Sequence, residues 1–367
     1  IGGEGALNGA GGIAGRSSGL IYGRQGEEDS GCINYAELYG ESDEYIVGGI
    51  IGQLNGGASE VYYCKNYGNL ARGNGSRCST IGGILGQSQN INKGLLYACE
   101  NEGNLGTEGM GETAVGKIRV GGIVGIYSVS SSFSEDTAIE NCINRGQLAG
   151  PDSNHKEDQT FGGIAGSSAG SIKNCTNLGK IYGGSSFCGG ILGGISEKSP
   201  GCVVTGCVNG SPDNADVGDI VCLDAISYAG GIVGLSRYSI DQEVLISKCI
   251  NYGDILMTEG KENSCVGGIL GYRSRIATPA NAESLEVSYC ENYGNIVNAF
   301  DSCGGIVGYV GNANSYIIAR CTNYGDVMAI QDNNRGDIGG ICGGIVSYNG
   351  GIAGCINAGD ISSVQSK

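Results

Sequence analysis

The chain has 367 residues, of which 72 are Gly, 4 are Pro and none is Trp, with a formal net charge of −16 and a pI of about 4.5. Gly at this density without a three-residue period excludes collagen, and 40% hydrophobic residues, with Ile and Val spread along the chain, exclude a disordered Gly-rich linker. The acidic balance argues against nucleic acid and anionic membrane surfaces as partners, and no apolar run approaches the roughly 20 residues that span a bilayer, so no membrane insertion is expected.

In chain order, the motif Gly-Gly-Ile-x-Gly begins at Gly11, Gly48, Gly82, Gly121, Gly162, Gly189, Gly230, Gly267, Gly304 and Gly339, at spacings of 27 to 41 residues. Its third residue is Ile in all ten copies, from Ile13 to Ile341. A further match at Gly350 runs straight into the last Cys segment and opens no repeat of its own. Each copy is followed by Cys-x-Asn. The cysteines are Cys32, Cys64, Cys99, Cys142, Cys175, Cys207, Cys249, Cys290, Cys321 and Cys355. The asparagines are Asn34, Asn66, Asn101, Asn144, Asn177, Asn209, Asn251, Asn292, Asn323 and Asn357. Most copies then carry a Gly and an apolar residue, as in Asn251-Tyr252-Gly253-Asp254-Ile255, although the first copy has Ala36 in the Gly place. Another apolar residue, such as Val61, Ile139 or Ile318, stands three residues before nearly every Cys.

Fixed motifs joined by segments of variable length describe a stacked coil with its loops outside. The apolar stretches are short, rich in Ile and Val and bounded by Gly, which suits strands and not helices. Gly would cost roughly 1 kcal/mol at each helical position relative to Ala. We therefore expect an all-β fold: residues 1–367 as a single parallel β-solenoid of about ten coils, each near 36 residues. Two or three strands per repeat are expected, one of them on Gly-Gly-Ile-x-Gly. The ten Ile residues should share one column of a continuous core. At ~4.8 Å per coil the rod would be about 50 Å long. The Asn column reads as a coil corner. There Asn is expected to take a left-handed conformation, to bond nearby backbone and to stack on the next Asn in an amide ladder, and the Gly two residues on to adopt positive φ. The sixth repeat is irregular around residues 202–222: an insertion follows Cys207-Val208-Asn209 and runs to Asp219, and it should project from the rod.

These residues resemble the GLUG repeat, a motif of bacterial IgA-specific metalloendopeptidases and cell-surface proteins. That repeat joins a Gly-Gly-(Leu/Ile)-Val-Gly segment to an Ile-x-Asn-Cys-x-x-x-Gly-x-(Ile/Val) segment. The nearest copy is Gly162–Ile181, GGIAGSSAGSIKNCTNLGKI; Gly121–Leu148 and Gly230–Ile255 match with longer inserts. Where the family often has Tyr-Ala-Thr after the Cys, this chain keeps Asn in the second place. The resemblance implies a secreted or cell-surface bacterial protein. It implies no peptidase activity, because the family's repeats lie outside its catalytic domain.

The chemistry in the sequence agrees with a non-catalytic module. A zinc peptidase needs two His one helical turn apart and a Glu base, and the single histidine, His155, lies in a polar insertion without a nucleophile elbow. Asp254, Asp326 and Asp360 share a column after the corner with Asn69, Asn104 and Asn295. They read as turn residues, with calcium between stacked corners as the sharper alternative. A β-helix enzyme acting on polysaccharide would use paired carboxylates of this kind. Tyr35, Tyr67, Tyr252, Tyr293 and Tyr324 share the column beside the Asn, either covering the corner or forming a contact strip for a sugar or partner. The ten column cysteines read as buried, reduced thiols. Cys78, Cys188, Cys202, Cys222, Cys265, Cys303 and Cys342 stand outside that column, no Cys-x-x-Cys pair occurs, and Cys202 and Cys222 flank the irregular repeat closely enough in sequence to suggest a pair.

Three functions follow from this reading. The first is an adhesive or structural rod that contacts a protein or glycan on a host or neighbouring cell. The second is a self-assembling extracellular filament subunit, and the third a carbohydrate-active β-helix enzyme. The chain opens at Ile1 without an initiator Met or signal peptide, which suggests a mature product or fragment. Neither terminus resembles a polar cap. The expectation is that the stack continues in a longer protein or meets another copy end to end.

Overall fold

One repeat makes one coil. In the second, the chain runs through strands Glu44–Gly48, Ile51–Asn55, Ala58–Tyr62, Lys65–Asn66 and Leu70–Arg72, and every other coil repeats this order. Equivalent strands stack in parallel and in sequence order, giving five ten-stranded sheets, so the chain climbs one coil per repeat as a parallel β-solenoid. The registers follow the motifs: Val47 pairs with Ile81 and Ile81 with Val120 in the first sheet, and Asn34 with Asn66 and Asn66 with Asn101 in the fourth. The computed structural model describes residues 9–22, 30–40, 44–56, 58–72, 78–89, 91–106, 117–129, 137–150, 159–183, 186–195, 201–222, 228–238, 243–257, 264–275, 284–299, 302–311, 315–331, 337–346 and 350–365. His155 lies outside them. Among the described residues no helix is long and apolar enough to cross a membrane.

Each coil has five strands where two or three were expected. The glycine motif lies across a corner and not on a strand: Gly48 ends the first strand, Gly49 and Ile50 turn, and Ile51 opens the second. The extra match at Gly350 is a third-sheet strand, Gly350–Ala353. The cross-section also departs from one continuous core. Two apolar columns run the length of the rod. One gathers Ile50, Ile51, Val61 and Cys64 with their equivalents. The other gathers Val47 and Leu70 with theirs. Between them, the Asn side chain of each coil lies against the second motif Gly of its own coil. A Cβ at Gly49 would collide with Asn66 and with the backbone oxygen of Gly83. The corner is glycine because the backbones of successive coils and the Asn amide meet there with no room for a methyl group.

The Ile column is fully buried from Ile50 to Ile306. Ile13 departs from it, 50% exposed, because its coil has a neighbour on one side only, and Ile341 is half-buried.

Outside the two columns, aromatic rings from the first and second sheets stack on one another along the rod. Phe187, Tyr228, Tyr272 and Tyr309 contribute one ring per coil, stacked at centroid separations of 5.4, 4.3 and 5.5 Å. The rings change sheets between Tyr228 and Tyr272. Where Phe187 comes from the first sheet, Gly194 stands in the second; where Tyr309 comes from the second, Ser302 stands in the first. In those two coils one residue of the pair is large and the other small, whereas the seventh coil carries Leu235 together with Tyr228.

Candidate functional site

The surface of this rod is built from columns that run from coil to coil. The Asn column forms a continuous amide ladder. The Nδ2 of each Asn donates to the Oδ1 of the next, from Asn34 to Asn357, in nine bonds of 2.8 Å. The other Nδ2 hydrogen goes to the carbonyl two residues on, as in Asn177 to Gly179 at 2.9 Å. In the sixth repeat Gly218 replaces that Gly, so Asn209 closes the base of the insertion at 2.8 Å. Asn66 through Asn323 are fully buried, and both amide hydrogens of each are satisfied. A buried amide with all its donors paired is stabilising and fixes register; the same amide unpaired would cost about 1–3 kcal/mol.

The left-handed residue of this corner is not the Asn. It is the residue before the Cys: Tyr63, Ala98, Asn141, Asn174, Lys248, Tyr289 and Arg320 have φ between 52° and 56°, with Gly206 and Gly354 in the same place at 65° and 63°. That residue inverts the side on which the chain presents its donors. The Tyr63 amide donates to Tyr97 in the next coil at 3.0 Å, and Lys65, two residues on, donates to Cys32 in the preceding coil at 2.9 Å. Except in the sixth repeat, where Gly218 has φ 78°, the Gly after the Asn serves close approach and not positive φ. A Cβ on Gly103 would strike the Gly68 carbonyl of the coil before.

The Asp/Asn column after the corner also makes a ladder, on the exposed side. Oδ1 of Asn69 accepts the backbone amide of Asn104 at 2.9 Å. Asp219 accepts from Asp254 at 3.1 Å, Asp254 from Asn295 at 2.7 Å, Asn295 from Asp326 at 3.0 Å and Asp326 from Asp360 at 2.8 Å. Asp219 also pairs with Lys180 at 3.1 Å. The calcium candidates Asp254 and Asp326 thus each hold an oxygen against the next coil's backbone, and Asn295 separates them. Among the described residues, no group of three or more His, Cys, Asp or Glu side chains is placed to hold a metal ion.

The tyrosine column is broken in two. Tyr35 and Tyr67 stack at 5.1 Å, and Tyr252, Tyr293 and Tyr324 stack at 5.0 and 4.5 Å. Between the two runs, Glu102 and Arg145 form an ion pair at 3.1 Å. The rings lie within 18° of parallel, so each covers its neighbour's face and presents an edge to solvent. A sugar-stacking platform needs an open face, and within each run the faces are closed. The Tyr293 hydroxyl donates to Glu291 at 2.9 Å; burial of the hydroxyl and then this carboxylate push it up to about 12.

The column cysteines are free thiols, fully buried from Cys64 to Cys321 and half-buried at Cys32 and Cys355. From Cys64 on, each Sγ lies 3.3–3.6 Å from the carbonyl two residues earlier. From Cys99 on, each also lies 3.5–3.7 Å from a carbonyl of the preceding coil. Burial pushes the Cys99, Cys175 and Cys290 thiols up. Cys202 and Cys222 form no disulfide with each other: both are buried thiols, one in each apolar column, and burial holds Cys202 at about 12.

The insertion of the sixth repeat is a compact exposed turn. Ser211 bridges Asn214, the Ser211 hydroxyl accepts the Asp213 amide at 3.2 Å, and Asn214 accepts the Asp216 amide at 3.0 Å. Residues 212–216 face solvent. Comparison of the chain with protein-family models, curated proteins and solved structures gave no match.

Proposed function

We propose that the chain is a non-catalytic repeat module of the GLUG type, an adhesive or structural rod on the outside of a bacterial cell. One observation supports this reading: the side chains that recur from coil to coil, the Asn column in all ten and the Asp/Asn and Tyr columns in part, hold one coil against the next. The buried Asn amides bond to each other, the Asp and Asn oxygens beside them cap backbone amides, and the tyrosine faces cover one another. What varies between coils is the length and content of the connecting segments and the insertion at 210–219. In a rod of constant cross-section, variable outer loops are where a partner is recognised. The acidic surface and the edge-on tyrosines favour a protein or glycan of a host or neighbouring cell. The carbohydrate-enzyme reading finds less support, because Asp254 and Asp326 each hold one oxygen on a backbone amide of the next coil.

Beads coated with the purified chain, offered to mucin-coated surfaces and to epithelial cells, test the proposal alongside a panel of neutral and acidic polysaccharides assayed for new reducing ends. The expected result is retention on a cell or glycan surface without release of reducing ends. Polysaccharide cleavage lost on Asp254→Asn or Asp326→Asn, or proteolysis abolished by a zinc chelator, would contradict it.

A further inference from the structure

The thiol column has a property that the other cysteines with described side chains do not share. Its members stand in register with one another from coil to coil, the eight inner ones with a column cysteine both above and below, and they line one side of the same buried core. The remaining cysteines have other neighbours. Cys188 pairs with Phe161 and Ala229, Cys303 with Val266 and Ile338, Cys222 with Gly183 and Met257, and Cys342 with Val307. Adjacent strands lie ~4.7–4.9 Å apart. A metal–thiolate bond is ~2.3 Å, so two such bonds in line span about 4.6 Å, close to the coil repeat.

We propose that this column is a binding site for soft monovalent cations, copper(I) and silver(I), each held in line between the sulfurs of two successive coils. Thiolates select soft ions. The charge also fits: a bound M⁺ displaces one S–H proton, which leaves to solvent, so an apolar column with no cation beside it gains no net charge. Sulfurs inside the column bridge two ions. The eight fully buried thiols, Cys64 to Cys321, bound seven gaps; seven ions displace seven protons and one S–H remains. No oxidation or reduction is involved. Zinc is excluded by geometry, since it asks for four ligands in a tetrahedron and a gap supplies two. Cys32 and Cys355 are half-buried, the nearest to solvent of the ten.

The test is titration of the fully reduced chain with silver(I), which has a single accessible oxidation state, read by native mass spectrometry and far-UV circular dichroism together. About seven to nine ions should bind while the strand spectrum is kept. Cys175→Ala removes the gaps on both sides of coil five and should lower the count by two, whereas Cys188→Ala should leave it unchanged. Silver X-ray absorption on the unmodified chain should show two sulfur neighbours per ion, a readout that stands even if a variant fails to fold. The proposal is overturned if silver binds only as the strand signal is lost, if no silver binds, if both variants lower the count equally, or if the ion has three or more ligands.

Discussion

At the scale of single residues, the Asn ladder carries most of the register information. Removing one amide in its middle strands the groups on either side. With Asn177→Ala, the Nδ2 of Asn144 loses its acceptor and the Oδ1 of Asn209 its donor, both in fully buried sites. At about 1–3 kcal/mol for each of the two stranded groups, the variant should lose roughly 2–6 kcal/mol. Asn357→Ala breaks one bond of the same ladder at an exposed residue, and should cost less than about 1 kcal/mol. Thermal or denaturant unfolding of the two variants side by side checks this; equal losses would show that the ladder is incidental. The sequence points to this column, because an Asn recurring at every corner has few uses other than an amide stack. It does not point to the left-handed residue. Tyr63, Ala98, Lys248 and Arg320 carry no glycine signal, and their conformation is imposed by the bonds on either side of the corner.

At the scale of the strand and the turn, the sequence announces the repeat and its parallel stacking but not how finely a coil is divided. The fourth strand is two residues long, as at Lys65–Asn66, too short to show any alternation. The separation into two apolar columns is likewise hidden. Val47 and Ile50 both read as core residues, yet the glycine corner between them sends one to each side of the Asn ladder. That corner should be intolerant of any side chain. Gly163→Ala would press a methyl group onto Asn177 and the Gly190 carbonyl, while Gly19→Ala meets nothing within 4 Å. We expect Gly163→Ala to destabilise by several kcal/mol, in the range of overpacking plus a broken buried bond, and Gly19→Ala to stay within about 0.5 kcal/mol. Comparable effects at the two sites, measured by denaturant titration, would count against the close-packed corner.

At the scale of the whole molecule, the account rests on one coil per repeat, whatever the length of the loops. The repeat from Gly162 to Gly189 takes 27 residues and that from Gly121 to Gly162 takes 41, yet each adds one layer to the same five sheets. Distance along the rod is therefore set by coil number and not by residue number. Spin labels introduced as unnatural amino acids in the tyrosine column measure this directly by pulsed electron paramagnetic resonance. With one label at Tyr67 in coil two and the second at Tyr252, Tyr293 or Tyr324 in coils seven, eight and nine, the separations should be about 24, 29 and 34 Å, rising by ~4.8 Å for each coil. Separations that follow the number of intervening residues, or that do not increase from one pair to the next, would contradict the solenoid.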